Sequence, residues 1–160
     1  MENLLQIAHD YPRRTVDTDE LLVEDGEPLD TLFVLIDGSL RIEKTGTPVA
    51  YVTAPGSCVG EMSLLLGTPA TADVRAREPS ELAVVESAST MIEREPALAL
   101  VLARLLAARL LVMTTYLVDL KEQYADHEGG LGMVDIVLES LLRAGSRSQL
   151  GSERDPDPEY

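Results

Sequence analysis

Few side chains in this sequence could do catalytic or metal chemistry, and their spacing speaks against both. The two histidines, His9 and His127, lie far apart in the 160-residue chain. His9 precedes the first β-rich run and His127 follows the longest helical one, so they cannot share a metal inside a β-domain; both are expected at the surface. The one cysteine, Cys58, cannot form an internal disulfide, a zinc site or a four-cysteine cluster, and is expected as a small buried hydrophobe. Ser63 and Ser80 have no histidine at a motif spacing, and Gly-x-Ser-x-Gly is absent, so no nucleophilic triad is in prospect. Asp17–Asp30 holds seven acids and no base, with no period that makes two carboxyls face each other. It reads as a solvated rim or a protein-docking patch. The stretch from Glu61 to Leu66 lacks the Gly-Lys-Ser/Thr ending of a phosphate loop. No catalytic residue, metal or cofactor is expected. Gly60-Glu61 remains: a turn-forming glycine before an acid that suits a helix N-terminus.

Composition narrows the class further. The chain has 13 Lys and Arg against 28 Asp and Glu, a formal net charge of −15. Nucleic-acid binding needs cations that displace phosphate counterions, and anionic membrane repels such a chain, so neither is an expected partner. With 45% hydrophobic residues there is apolar surface for one core. No basic-then-apolar leader opens the sequence, and a cytoplasmic location is expected. In Ala97–Val118, Arg104 and Arg109 leave no run of 18 uncharged apolar residues, so no membrane span is expected.

The elements can be read from their periods. Residues 1–10 predict a short helical turn with Leu4, Leu5 and Ala8 on one face, ended by Tyr11-Pro12. Residues 13–87 read as strands, with β-rich runs at Leu21–Val23, Leu32–Ile36, Ser39–Glu43, Val49–Val52, Ala72–Arg77 and Leu82–Val85. Turn dipeptides such as Asp25-Gly26, Asp37-Gly38 and Thr45-Gly46 separate them, which suggests an antiparallel sandwich or barrel. Leu64-Leu65-Leu66 before Gly67 breaks the alternation and predicts a turn or two of helix with a glycine C-cap. Thr90 to Glu93 has the spacing of a capping box, and Pro96 suits the first turn of the next helix. A long helix is expected from Ala97 to about Tyr124, and an amphipathic one over Leu131–Arg143 with Val134, Val137, Leu138, Leu141 and Leu142 on its stripe.

The long helix is apolar around more of its circumference than a surface helix needs. At 28 residues it would run about 42 Å, more than a small β-domain can cover on two faces. A second copy can cover it. A homodimer is therefore expected, through Leu102, Leu105, Leu106, Arg109, Leu110, Met113, Leu117 and Leu120.

Two segments carry a family resemblance. One runs from Glu24-Asp25-Gly26-Glu27-Pro28 through Ile36-Asp37-Gly38-Ser39-Leu40 to Ile42. The other runs from Pro55-Gly56 through Val59-Gly60-Glu61-Met62-Ser63-Leu64-Leu65-Leu66-Gly67-Thr68-Pro69-Ala70-Thr71-Ala72-Asp73-Val74-Arg75 to Ala76. Together they resemble the cyclic-nucleotide-binding domains of bacterial catabolite activator protein and of kinase regulatory subunits, over roughly residues 4–124. The resemblance implies a mainly β, α+β fold: an N-terminal helix, an eight-stranded antiparallel jelly-roll barrel with a short internal helix, a hinge helix at Ser89–Glu95 and a long dimerisation helix. It sets off a cyclic-nucleotide-binding-like domain at 1–125, and period and composition add a helical appendage at 126–145 and a disordered acidic tail at 146–160. It also implies a ligand site. The amides at Gly60, Glu61, Met62 and Ser63 would face a cyclic phosphate, and Glu61 would take the ribose 2′-hydroxyl. Thr71 and Ala72 would approach the phosphate and base, with Thr114 or Thr115 on the lid helix over the base.

One departure from the family pattern bears on function. The family's phosphate-pairing arginine follows the loop proline, where this sequence has Ala70 after Pro69. Arg75, five residues on, is too far along its strand to reach the helix start. A charge-assisted bond contributes roughly 1.5–3 kcal/mol, so its loss weakens binding by about ten- to a hundred-fold. Nor do the residues after the long helix resemble a helix-turn-helix: Gly129, Gly130 and Gly132 precede one short helix and a tail holding Glu153, Asp155, Asp157 and Glu159. The expected function is a non-catalytic, dimeric regulatory or adaptor module acting on a protein partner, with weak or absent cyclic nucleotide binding. The alternative is a working cAMP or cGMP sensor that holds the phosphate by backbone amides alone.

Overall fold

The alternating runs form eight strands: β1 (Arg13–Val16), β2 (Leu21–Val23), β3 (Thr31–Asp37), β4 (Leu40–Lys44), β5 (Thr47–Val52), β6 (Cys58–Val59), β7 (Asp73–Ala76) and β8 (Ser80–Glu86). The structure is a computed structural model that describes residues 4–123 and 131–143. The strands make two antiparallel four-stranded sheets, ordered β1-β8-β3-β6 and β2-β7-β4-β5. These face each other as an open sandwich, one of the two antiparallel arrangements expected; the jelly-roll barrel is not closed. Their inner faces share one core, built from Val16, Phe33, Leu35, Leu40, Val74 and Leu82 among others.

Strand β3 shows why strict alternation is not seen everywhere. Leu32, Phe33, Val34 and Leu35 are all buried. Phe33 and Leu35 enter the core between the sheets, while Leu32 and Val34 enter a second core on the outer face. A strand covered on both faces reads as a continuous apolar run. The second core adds Cys58, Ala83 and Val85, and is roofed by α1 (Leu4–Ala8), α3 (Ala88–Arg94) and the start of α4 (Pro96–Gln123). Cys58 is buried, as expected.

Three local expectations need correction. Leu5 is exposed, and in α1 it is Leu4 and Ala8 that are buried. Strand β1 has no sequence signal, because three of its four residues are exposed and only Val16 is apolar and buried. The hinge helix starts at Ala88 after Ser87, so Thr90 lies inside it and forms no capping box.

The start of α3 is capped from a distance instead. The Ser89 amide donates to Asp30 Oδ1 at 2.9 Å, across 59 residues of sequence. That bond holds the Asp30 carboxyl below its ordinary pKa. A carboxylate with a depressed folded-state pKa stabilises the fold above its unfolded value, near 3.9, and loses that contribution as pH falls through the folded value. Asp30→Ala is therefore expected to lower the melting temperature at pH 7, with the gap to wild type closing as the pH falls below the usual aspartate range. Melts across pH 2–7 check this; a gap of constant size would count against the cap.

The chain divides into two units, Met1–Leu106 and Ala107–Tyr160. In the first, Leu98 and Leu102 of α4 are fully buried in the second core. In the second, α5 (Leu131–Arg143) is tied to α4 by an ion pair between Lys121 and Asp135. Among the described residues α4 is the one helix long and apolar enough to cross a membrane, with a mean hydropathy of 2.0 over an 18-residue window. Arg104 and Arg109 do not offset its leucines as the uncharged-run criterion implied. His127 and the expected tail at 146–160 lie outside the described residues.

Candidate functional site

The site begins at a backbone position that needs glycine. Gly60 has φ +98°, and a Cβ there would sit 2.6 Å from the Thr31 carbonyl oxygen. It turns the chain out of β6 into α2 (Glu61–Leu66), the short helix expected before Gly67. Glu61 and Ser63 are buried, at 3% and 5% exposure, whereas Met62 faces solvent. The chain then folds back. Gly67 and Thr68 donate their amides to the Ser63 carbonyl, and the Ser63 hydroxyl donates to the Pro69 carbonyl at 3.3 Å. The predicted donor segment 60–63 and the predicted loop 69–72 are thereby brought together.

Ala70, the residue in place of the family's arginine, is 5% exposed. Its amide donates to the Glu27 carbonyl at 2.9 Å, and its carbonyl accepts from Gly26 at 2.7 Å. Its methyl group packs with Val23, Leu40 and Val74 in the core between the sheets. Thr71 is exposed and Ala72 half-buried.

The expected cations and hydroxyls sort differently. Arg75 is engaged elsewhere: Nε lies 3.4 Å from Glu43 and Nη1 donates to the Asp19 carbonyl at 3.3 Å. Glu43 also pairs with Arg41 at 2.6 Å. Thr114 and Thr115 lie in the second unit, where their hydroxyls bond to the Leu110 and Leu111 carbonyls four residues back.

One cation near this loop was overlooked. Lys44 Nζ lies 2.5 Å from the Thr71 carbonyl oxygen and 2.7 Å from Asp25 Oδ2. Lys44 stands 27 residues upstream of Thr71, on a different strand from Arg75. A signal was available: Lys44 follows Leu40 and Ile42 at the strand period, and both of those belong to the core face of β4. The acids of the 17–30 stretch lie mostly at the surface, as a solvated rim requires, and several are paired within the chain. Asp19 pairs with Arg41, Glu20 with Arg14, and Asp25 with Lys44, while Asp30 caps α3.

The expected dimer face also changes. Leu102 is 0% exposed inside its own core, and Leu105 packs against the same cluster, so Leu102 is not available to a second copy. Leu110 and Met113 are exposed; Leu106, Arg109, Leu117 and Leu120 are half-buried. His9 is exposed beside Asp10. No three His, Cys, Asp or Glu side chains among the described residues are placed to hold a metal ion. A cleft of about 330 Å³ between α1 and the start of α4 is lined by Gln6, Ile7, Asp10, Tyr11, Glu95 and Ala97, none of them in the expected ligand site.

Comparison with known proteins agrees with this architecture. Residues 13–91 match the family model of the cyclic nucleotide-binding domain. A cyclic nucleotide-gated potassium channel of Mesorhizobium japonicum is 33% identical over 85 residues, which are 53% of this chain and 23% of the channel. The chain thus spans about a quarter of that relative's length. Among solved structures, the catabolite activator protein of Thermus thermophilus superposes with a TM-score of 0.58 at 24% identity, covering 86% of this chain and 81% of the other. A putative cyclic nucleotide-binding protein of Geobacter metallireducens superposes with a TM-score of 0.54 at 25% identity, covering 63% and 76%. The match over residues 13–91, with the two four-stranded sheets and the short helix between β6 and β7 that this segment forms, identifies it as a cyclic nucleotide-binding domain.

Proposed function

We propose that this chain is a non-catalytic regulatory module: a dimer through the exposed apolar surface of α4, acting on a protein partner, whose pocket holds cAMP and cGMP only weakly. The observation that carries this reading is Ala70. The position of the family's phosphate-pairing arginine is occupied by a buried methyl, fastened by two backbone bonds to the β2–β3 loop. In a chain of net charge −15, a cyclic phosphate loses there the cation that would offset the surrounding acids. The regulatory output is supported by the family itself.

Calorimetric titration of cAMP and cGMP into wild type and Ala70→Arg tests the reading. Binding is expected to be about ten- to a hundred-fold tighter in Ala70→Arg than in wild type, the worth of one charge-assisted phosphate bond. Because Ala70 is buried, the variant's melting curve is recorded beside the titration. Wild-type binding at micromolar affinity or better would overturn the weak-pocket reading. It would make the chain a working sensor that holds the phosphate without an arginine.

A further inference from the structure

We propose that Lys44 is the phosphate-binding cation of this pocket, reaching from β4 to the position that the family fills from residue 70, and that Asp25 competes with the ligand for it. This rests on reading residues 60–63 and 70–72 as the ligand site. Three observations support it. The ammonium lies 2.5 Å from the carbonyl of Thr71, the residue next to Ala70, so a half-exposed positive charge stands at the rim of this loop. It reaches this point from outside the loop and from another strand, so Ala70 can remain a buried methyl while a cation is still present. An ammonium has three N–H donors, and the Thr71 carbonyl and Asp25 use two, leaving one for a phosphate oxygen.

Asp25 sets the strength of the site. Its carboxylate is 2.7 Å from Nζ, and its own amide is fastened to Asp73 Oδ1 at 2.7 Å, which keeps the counter-ion in place. An incoming phosphate must share the lysine with this carboxylate or displace it. The pocket therefore takes a cyclic nucleotide in preference to the corresponding nucleoside, but by less than an unpaired cation would allow.

The test compares cAMP with adenosine, which has the same base and ribose without the phosphate, in wild type, Lys44→Gln, Lys44→Arg and Asp25→Asn, with Ala70→Arg as a control. Wild type is expected to prefer cAMP to adenosine about tenfold, as one charge-assisted bond implies. Lys44→Gln should erase that preference with adenosine affinity unchanged, Lys44→Arg should keep it, and Asp25→Asn should raise cAMP affinity several-fold. A lysine that merely clasps two loops would change the melting curve of Lys44→Gln and leave the preference intact; that outcome, or equal binding of the two ligands by wild type, overturns the proposal. If Ala70→Arg gains cAMP affinity while the Lys44 and Asp25 variants match wild type, the assignment of Lys44 fails and the weak-pocket reading stands. If Ala70→Arg and wild type both fail to bind either ligand, the pocket reading fails and this proposal with it.

Discussion

Gly38→Ala should destabilise the first unit by about 3 kcal/mol or more, the largest loss expected from any single methyl group added to it. Gly38 turns β3 into β4 at φ +95°, a conformation that costs a side-chain-bearing residue roughly 1–2 kcal/mol. The new Cβ would lie 2.3 Å from Ser80 Oγ and 2.7 Å from both Ser80 Cα and Cβ, far inside contact distance. Ser80 cannot retreat, because it begins β8 and is held in register with Val16. Its hydroxyl also accepts the Ser39 amide at 3.0 Å. Displacing that hydroxyl leaves a buried N–H unpaired, at about 1–3 kcal/mol. Gly46→Ala is the control: its φ is +75° but nothing lies within 4 Å, so only the backbone cost applies. For a domain of this size 1 kcal/mol moves the melting temperature by about 4–8 °C, so Gly38→Ala should melt at least about 12 °C below wild type. A shift no larger than that of Gly46→Ala would show that the turn can relax around the methyl.

Leu102→Ala and Met113→Asp should fail in different ways, although the long helix carries both residues. Leu102 is 0% exposed, packed in one core with Leu32, Val34, Ala83 and Leu98. Its truncation leaves a cavity among side chains that cannot collapse into it, at about 2–5 kcal/mol. Every chain bears this cost, so the drop in melting temperature, about 8 °C or more, should be the same at any protein concentration. Met113 is 57% exposed and belongs to neither core. A charge there should leave the melting of the first unit near wild type and instead lower the mass measured by light scattering from dimer to the 17.4 kDa single chain. A wild type that runs as a monomer at micromolar concentration would overturn the dimer. A Leu102→Ala variant that melts like wild type would return Leu102 to the surface.

How far the fold was legible follows from what each element depends on. Pro96 starts α4 as expected, because a missing N–H costs nothing in a first helical turn. Gly60 and Gly67 bracket α2 as expected, since both adopt backbone angles that suit glycine. Strand β2 matches its expected bounds, and β3 and β8 extend only one or two residues beyond theirs. The candidate site was less legible. The loop with Ala70 was identified from a sequence pattern. Its neighbours Gly26, Glu27 and Lys44 come from segments whose crossing no local period encodes.

Local backbone preference and side-chain period, each acting within a few residues, already determine most of the strands, the glycine turns and the start of α4, while the absent arginine at position 70 is legible only through the family resemblance. Contacts between distant segments required the folded sandwich. The sheet order β2-β7-β4-β5 sets β4 beside β7, and so brings Lys44 to Thr71 and Asp25. The helical layer over β3 brings Asp30 to Ser89 and buries Leu102. Ala70 after Pro69 forecasts a loop without its own cation. Packing sets Lys44 of another strand beside that loop, because charge pairing depends on which segments meet in space.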